Sequence, residues 1–175
     1  MELSGIGYPA IIVKSVDESV DFYRKLGATV LYGEPNRDDP ESIQVLISLG
    51  ADNFLMLIGP RDPGFKIAEA SLGAGSMQYI TLNVTTQFMD QAFFELSNAG
   101  IQGSEEIRRG YERLIFLEDP NGVLLLLVAW TVEPPPDISR TRILARAAQF
   151  REEAGETFIE EAHVSRAIAE IRATS

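Results

Sequence analysis

Tyr111-Glu-Arg-Leu-Ile-Phe-Leu-Glu-Asp-Pro-Asn-Gly-Val-Leu-Leu-Leu-Leu-Val-Ala-Trp130 is the stretch that decides how the chain is read. Two apolar runs flank Asp119-Pro120-Asn121-Gly122. Pro and Asn-Gly form turns, and Gly accepts positive φ, so the stretch reads as a β-hairpin. The second run lacks the polar alternation of a strand with one wet face. It is expected to be a strand covered on both sides, with a functional site on one of them.

The residues before the hairpin spell a unit around it. Residues 77–84 read as a strand. Thr85 or Thr86 is placed to cap a helix that runs to about Asn98, with Phe88, Ala92, Phe93 and Leu96 on its apolar face. Gly100 stops it, and residues 101–107 read as a short strand leading into the hairpin. Residues 59–76 form a Gly/Pro-rich connector. Upstream of it the same order occurs once already. Residues 7–14 read as a strand, and residues 16–26 as a helix capped by Ser15 or Asp17 and stopped by Gly27. Val20, Tyr23 and Leu26, with Phe22 beside them, mark its inner face. Residues 28–33 read as a strand, residues 34–41 as a polar loop, and residues 42–49 and 54–58 as a hairpin. Laid on each other at an offset of 71, Tyr8 meets Tyr79, Val13 meets Val84, and Phe22-Tyr23 meets Phe93-Phe94, while Met56 falls on Leu126 when the last strands are aligned. The shared element order predicts a duplicated βαβββ unit.

The character changes after Trp130. Pro134-Pro135-Pro136 is a stiff break, and two helical patterns follow. One is capped by Asp137 and carries Ile143, Ala147 and Phe150. The other spans residues 156–174 and carries Val164, Ala167, Ile168 and Ile171. Such stripes need a partner surface, either the chain's own units or a second copy. A homodimer is favoured, because six arginines in the tail can bridge otherwise acidic bodies. The expected organisation is residues 1–132 as a duplicated domain, with units of about 5–60 and 76–132, and residues 133–175 as the Pro-rich break and helical tail.

Composition narrows the function classes. The formal net charge of −11 repels phosphate backbones and anionic lipid, which argues against nucleic-acid and membrane roles. It favours cationic ligands, although acidity also serves solubility alone. No apolar run reaches membrane-spanning length and no secretory signal pattern opens the chain, so the cytoplasm is the expected compartment. With no cysteine, thiolate chemistry and Cys metal sites are excluded.

The hairpin and the segment Asp17-Glu-Ser-Val-Asp-Phe-Tyr-Arg-Lys-Leu-Gly27 together resemble the vicinal oxygen chelate superfamily of glyoxalases, extradiol dioxygenases, fosfomycin-inactivating enzymes and bleomycin-resistance proteins. The resemblance covers residues 5–132. It implies an α+β fold in which two βαβββ repeats curve a mixed sheet around a cup, here with a C-terminal helical extension. The metal enzymes of that group place His and Glu on the first and last strands of each unit. Carried over, those positions are Tyr8, Met56, Tyr79 and Leu126. Divalent metals need converging N and O donors, so no metal and no cofactor is expected. The only histidine, His163, lies far off in the tail; Glu160-x-x-His163 lacks the second copy that a di-iron site requires.

By strand alternation Tyr8 shares a face with Ala10 and Ile12, Tyr79 with Thr81 and Asn83, and Leu126 with Leu124, Val128 and Trp130. Tyr8, Met56, Tyr79, Thr81, Asn83, Tyr111, Arg113, Leu126 and Trp130 are the expected ligand-binding residues, suited to a large, flat, partly apolar molecule, aromatic or cationic. Alternation sends either Glu112 or Arg113 inward. Arg113 there would bind a ligand carboxylate or enolate oxygen, and Glu112 would be a base; the alternative is that both sit at the wet end of their strand. Asp38-Asp39, Glu105-Glu106 and the Gly73-x-Gly75 pair read as solvated loop or connector. The resemblance favours a metal-independent small-molecule-binding protein of the bleomycin-resistance type that sequesters a drug or secondary metabolite. The alternatives are a metal-independent isomerase, cyclase or lyase, and a regulatory or assembly protein that uses its tail.

Overall fold

The computed structural model describes residues 5–39, 41–60, 74 and 76–174. Eight strands and four helices follow in the order β1 (Ala10–Ile12), α1 (Val16–Lys25), β2 (Thr29–Pro35), β3 (Ile43–Gly50), β4 (Asn53–Gly59), β5 (Ile80–Asn83), α2 (Thr86–Asn98), β6 (Ile107–Arg109), β7 (Glu112–Glu118), β8 (Leu124–Trp130), α3 (Arg140–Ala154) and α4 (Glu161–Ala173). They build two four-stranded sheets, β1-β4-β3-β2 and β5-β8-β7-β6. The βαβββ unit is therefore present twice. One backbone bond marks the equivalence: Val13 N–H donates to Ile58 O at 2.8 Å in the first unit, and Val84 N–H to Val128 O at 2.9 Å in the second. No described helix is long and apolar enough to cross a membrane.

The chain divides into two compact units, residues 1–80 with 118–124 and residues 81–117 with 125–175. In the first, Ser15 caps α1 by accepting from Glu18 N–H at 3.3 Å, and Gly27 ends it at φ 95°. The helix buries Val16, Ser19, Val20 and Tyr23. The sheet answers with Val45, Ile47, Leu55 and Leu57, all buried. β1 runs parallel to β4, with Ala10 opposite Met56, and β3 runs antiparallel to β4 and to β2.

The Asp119–Gly122 turn is docked on this unit. The Asp119 carboxylate accepts from Asn121 N–H (2.8 Å) and Val123 N–H (2.9 Å) within the turn, and from the Tyr23 hydroxyl (3.2 Å) on α1. Asn121 continues the attachment: its Oδ1 accepts from Lys14 N–H at 2.9 Å, and its Nδ2 donates to Ser19 Oγ at 3.0 Å. Burial, and then the neighbouring Asp119 carboxylate, push the Tyr23 phenol well above its ordinary pKa.

In the second unit Thr85 caps α2, accepting from Phe88 N–H at 3.0 Å. The buried face is Met89, Ala92 and Leu96, whereas Phe93 is 88% and Phe94 64% exposed. The expected pairing of Phe22-Tyr23 with Phe93-Phe94 is thus corrected. The helices match in the register of their glycine stops, Gly27 and Gly100, which brings Leu96 to the place of Tyr23. α2 carries three more residues than α1, 13 against 10, so the strand offset does not carry through it. Two boundaries also move. β2 extends to Pro35, taking in Glu34, which the sequence placed in a loop, because its backbone pairs with β3 as far as Ile43. The strand expected at 101–107 is a single bridge, Gly103 to Leu117, followed by β6.

The tail packs on its own unit. Trp130 is buried in one cluster with Ile138, Ile143, Ala147, Phe150, Val164 and Ile171. Arg146 and Arg166 lie over the Phe150 ring at 4.0 and 3.7 Å from its centroid. Ser139 replaces the expected Asp137 at the start of α3, and α4 begins at Glu161 rather than Glu156. His163 serves that start, its Nδ1 accepting from Glu160 N–H at 3.0 Å. Gly110, at φ 59° in the β6–β7 turn, lies so close to Ile159 O that a Cβ there would collide with it.

Removing the turn's anchor gives a test. Tyr23→Phe is expected to cost roughly 1 kcal/mol, and Asp119→Ala, which strands its donors, roughly 2–3 kcal/mol, in urea denaturation. The sign of the pH effect follows from the raised phenol. The folded state keeps it protonated where the unfolded chain ionises, so its stabilisation is complete below about pH 10 and is lost as the pH climbs past that value. The parent protein should therefore lose stability above that pH faster than Tyr23→Phe. Equal slopes for the two would show that the phenol is not held as described.

Candidate functional site

Each sheet has one face turned away from its helix. In the first unit the strand register defines that face row by row. Tyr32, Leu46, Met56 and Ala10 lie side by side across β2, β3, β4 and β1, and Glu34, Gln44, Ile58 and Ile12 form the adjacent row. Tyr8 precedes this face and is 52% exposed, while Met56 in its middle is buried. The face is apolar at its centre and polar at one corner, where Gln44 Nε2 donates to Glu34 Oε1 at 2.7 Å. Met56 lies in the middle of this face and Tyr8 two residues before β1. Tyr32, Glu34, Gln44 and Leu46 escaped sequence reasoning. The signal that could have found them is the alternation of Tyr32 and Glu34 against Leu46 and Gln44, which was hidden by reading Glu34 as loop.

In the second unit Arg113 identifies the helix side of the sheet. Its guanidinium donates at 2.7 Å to Asp90 on α2 and at 2.7 and 2.9 Å to Glu106. These bonds hold the Glu106 carboxyl below the ordinary range and raise Arg113 itself. Arg113 therefore faces α2 with its donors engaged, and the expectation that it would meet a ligand carboxylate is corrected. Glu112, Leu114, Ile107 and Arg109 share the opposite face, since Glu112 pairs with Arg109 and Leu114 with Ile107 across the β6–β7 ladder. Glu112 is tied to Arg109 at 3.1 Å. Tyr79 is half-buried and Thr81 exposed. Asn83 is exposed, and its side-chain oxygen accepts from Arg140 of the tail at 2.6 Å. Leu126 is fully buried.

Two expected ligand-lining aromatics belong elsewhere. Trp130 is enclosed by the tail cluster, with Tyr111 edge-on to it at 5.3 Å and the Arg140 guanidinium 5.3 Å from its ring centre. The partner surface that the tail stripes require is this tryptophan's, and the ring has no free face to offer a ligand. Burial, the larger effect, and the neighbouring Glu112 raise the pKa of Tyr111.

A cavity of about 520 Å³ opens on the helix side of the second sheet, between Met89, Phe93 and Leu96 of α2, Ile101 to Glu106, and Ile115. Two of its acids, Asp90 and Glu106, are the partners of Arg113. Its position on that side separates it from Glu112 and Leu114.

Tyr8, Met56, Tyr79 and Leu126, the positions that the resemblance equates with metal ligands, carry no carboxylate or imidazole. Among the described residues no group of three or more His, Asp or Glu side chains could hold a metal ion. The residues present do not fit a divalent metal centre.

The sequence profile described as Glyoxalase/Bleomycin resistance protein/Dioxygenase superfamily matches residues 5–127. No curated protein matches the chain significantly. Among solved structures, a glyoxalase family protein from Enterococcus faecalis is similar at TM-score 0.61 and 20% identity, over 74% of this chain and 100% of that one. A glyoxylase/bleomycin resistance protein/dioxygenase domain from Frankia sp. EAN1pec reaches 0.62 at 14% identity, over 74% and 93%. The fosfomycin resistance protein FosX from Listeria monocytogenes, in complex with Mn(II) and 1S,2S-dihydroxypropylphosphonic acid, reaches 0.56 at 18% identity, over 72% and 92%. At these identities the likeness is one of fold.

The enclosure of Trp130 is open to direct test. Deleting residues 137–175 should strip its cover, red-shift the tryptophan emission and lower the melting temperature by several degrees, because each large apolar side chain withdrawn from the cluster is worth roughly 1.5–3 kcal/mol. Unchanged emission and melting in the truncated chain would remove the tail from the fold's support.

Proposed function

The chain belongs to the glyoxalase/bleomycin resistance protein/dioxygenase superfamily, and we propose that it binds a small organic molecule without the help of a metal ion. The observation that carries this reading is the replacement of the ligand positions by Tyr8, Met56, Tyr79 and Leu126. Tyrosine, methionine and leucine side chains suit a carbon skeleton rather than a metal ion, with phenol hydroxyls to orient it. The face around Met56 in the first sheet supports the same reading, being apolar at its centre with polar groups at a corner. Tyr8, Tyr79 and Thr81, which keep accessible surface, are the proposed ligand-lining residues, whereas Met56 and Leu126 are buried. Sequestration of a drug or secondary metabolite is the proposed role, in a homodimer. The exposed Phe93 and Phe94 on α2 support self-association.

An enzyme reading rests on Glu112. It is the one candidate acid or base that lies on the face away from α2, but its carboxylate is engaged by Arg109. A metal-free isomerase, cyclase or lyase would need that pair to open.

Elemental analysis and ligand screening test the proposal together. The purified full-length protein should hold no stoichiometric Zn, Ni, Mn or Fe, and added divalent ions should leave its melting temperature unchanged. A compound found by thermal shift should stabilise the fold by about 2.7 kcal/mol at a hundredfold excess over its Kd, equally with and without EDTA, and should be recovered chemically unaltered. One tightly held metal per chain, lost on substituting Tyr8 or Tyr79, would overturn the metal-free reading. A transformed compound would move the assignment to Glu112.

A further inference from the structure

The polar corner of the first sheet points to the charge of the ligand. Glu34 lies opposite Gln44, Gln44 opposite Ile58, and Ile58 opposite Ile12, so this row crosses all four strands. The bond from Gln44 Nε2 to Glu34 Oε1, at 2.7 Å, fixes which way the amide is turned, because only its nitrogen can donate to a carboxylate. The amide oxygen and the second carboxylate oxygen then remain as acceptors. Among the described residues neither has a further hydrogen-bond partner, and no Lys, Arg or His stands in the two rows of this face. Both side chains are half-buried. A carboxylate in such a place is costly to cover with an apolar or anionic group. It is stabilised by a charged nitrogen donor, for which the second carboxylate oxygen remains as acceptor.

We propose that the ligand of this face carries a cationic nitrogen, an amine or guanidine, which is received by Glu34. Gln44 is a positioning residue that fixes the carboxylate. The apolar body of the ligand lies over Leu46 in the next row, beside Tyr32. Strands lie about 4.8 Å apart and two residues along a strand advance about 7 Å, so Leu46 is roughly 8 Å from Glu34 across the diagonal. A four-carbon linker between ammonium and ring spans that distance. This inference rests on the small-molecule-binding reading above, and adds the charge of the ligand and the residue that selects it.

Three probes of one shape separate the two ideas: 4-phenylbutylamine, 4-phenylbutanol and 4-phenylbutyrate, titrated into isotopically labelled full-length protein and followed by NMR. The amine should bind roughly tenfold more tightly than the alcohol, as expected for a charge-assisted hydrogen bond, with the butyrate weakest. Added salt should weaken the amine alone. Glu34→Gln, which keeps the size of the side chain and an oxygen for Gln44, should bring the amine to within about twofold of the alcohol without lowering the melting temperature. Leu46→Asp should weaken the alcohol. If alcohol and amine bind equally, perturb Leu46 and Met56, and ignore Glu34→Gln, the cationic assignment fails while the binding face stands. If no probe perturbs those residues, both fail.

Discussion

A buried carboxylate with four donors around it holds the fold at its midpoint. Asp119 receives Asn121 N–H, Val123 N–H, Asn121 Nδ2 and the Tyr23 hydroxyl. A carboxylate buried without them would cost several kcal/mol, so the turn has one conformation that is acceptable there. Fixing the turn fixes the ends of β7 and β8, and through Asn121 it also fixes the start of α1 and the end of β1. Residues 118–124 consequently count with the first compact unit, although the strands on either side count with the second. The same few residues shape the hairpin turn and close the first unit.

Much of this was legible in the chain, for reasons that are local. Asp-Pro-Asn-Gly selects a turn by backbone preference, and Ser15, Thr85, Gly27 and Gly100 mark helix ends by capping chemistry. The equivalence of Val13 and Val84 followed from element order. What was not legible depends on partners distant in sequence. Phe93 and Phe94 have the hydrophobicity of core residues and lie exposed, because the face of α2 that meets its sheet is set by Met89, Ala92 and Leu96. Arg113 could have turned either way by alternation, and only Asp90 on α2 together with Glu106 decided it. Glu34 has the composition of a loop residue and becomes a strand residue through its pairing with Gln44. Trp130 reads as an aromatic in need of a ligand until the tail is seen to cover it.

The two units have diverged in what their sheets do. The first keeps a helix-free face with an apolar centre and one acceptor corner. In the second, the end of β8 is taken over by α3 and α4, Asn83 is bonded to Arg140, and Glu112 is held by Arg109. Duplication supplied two copies of one surface, and the helical tail has turned part of the second copy into core. This asymmetry follows from chemistry: an aromatic at the end of a strand serves equally as a ligand platform or as the anchor of a helix pair, and Ile143, Phe150 and Val164 supply the second use.

The glycine in the β6–β7 turn ties the history of the tail to a single position. With positive φ alone to satisfy, Asn or Asp would serve at residue 110 nearly as well as glycine. The backbone oxygen of Ile159 removes that freedom, since any Cβ would strike it. A chain bearing Asn at this turn could not have accepted the tail in its present seat. With the tail docked, a position in a surface turn is held to glycine by a backbone oxygen of the segment that leads into α4.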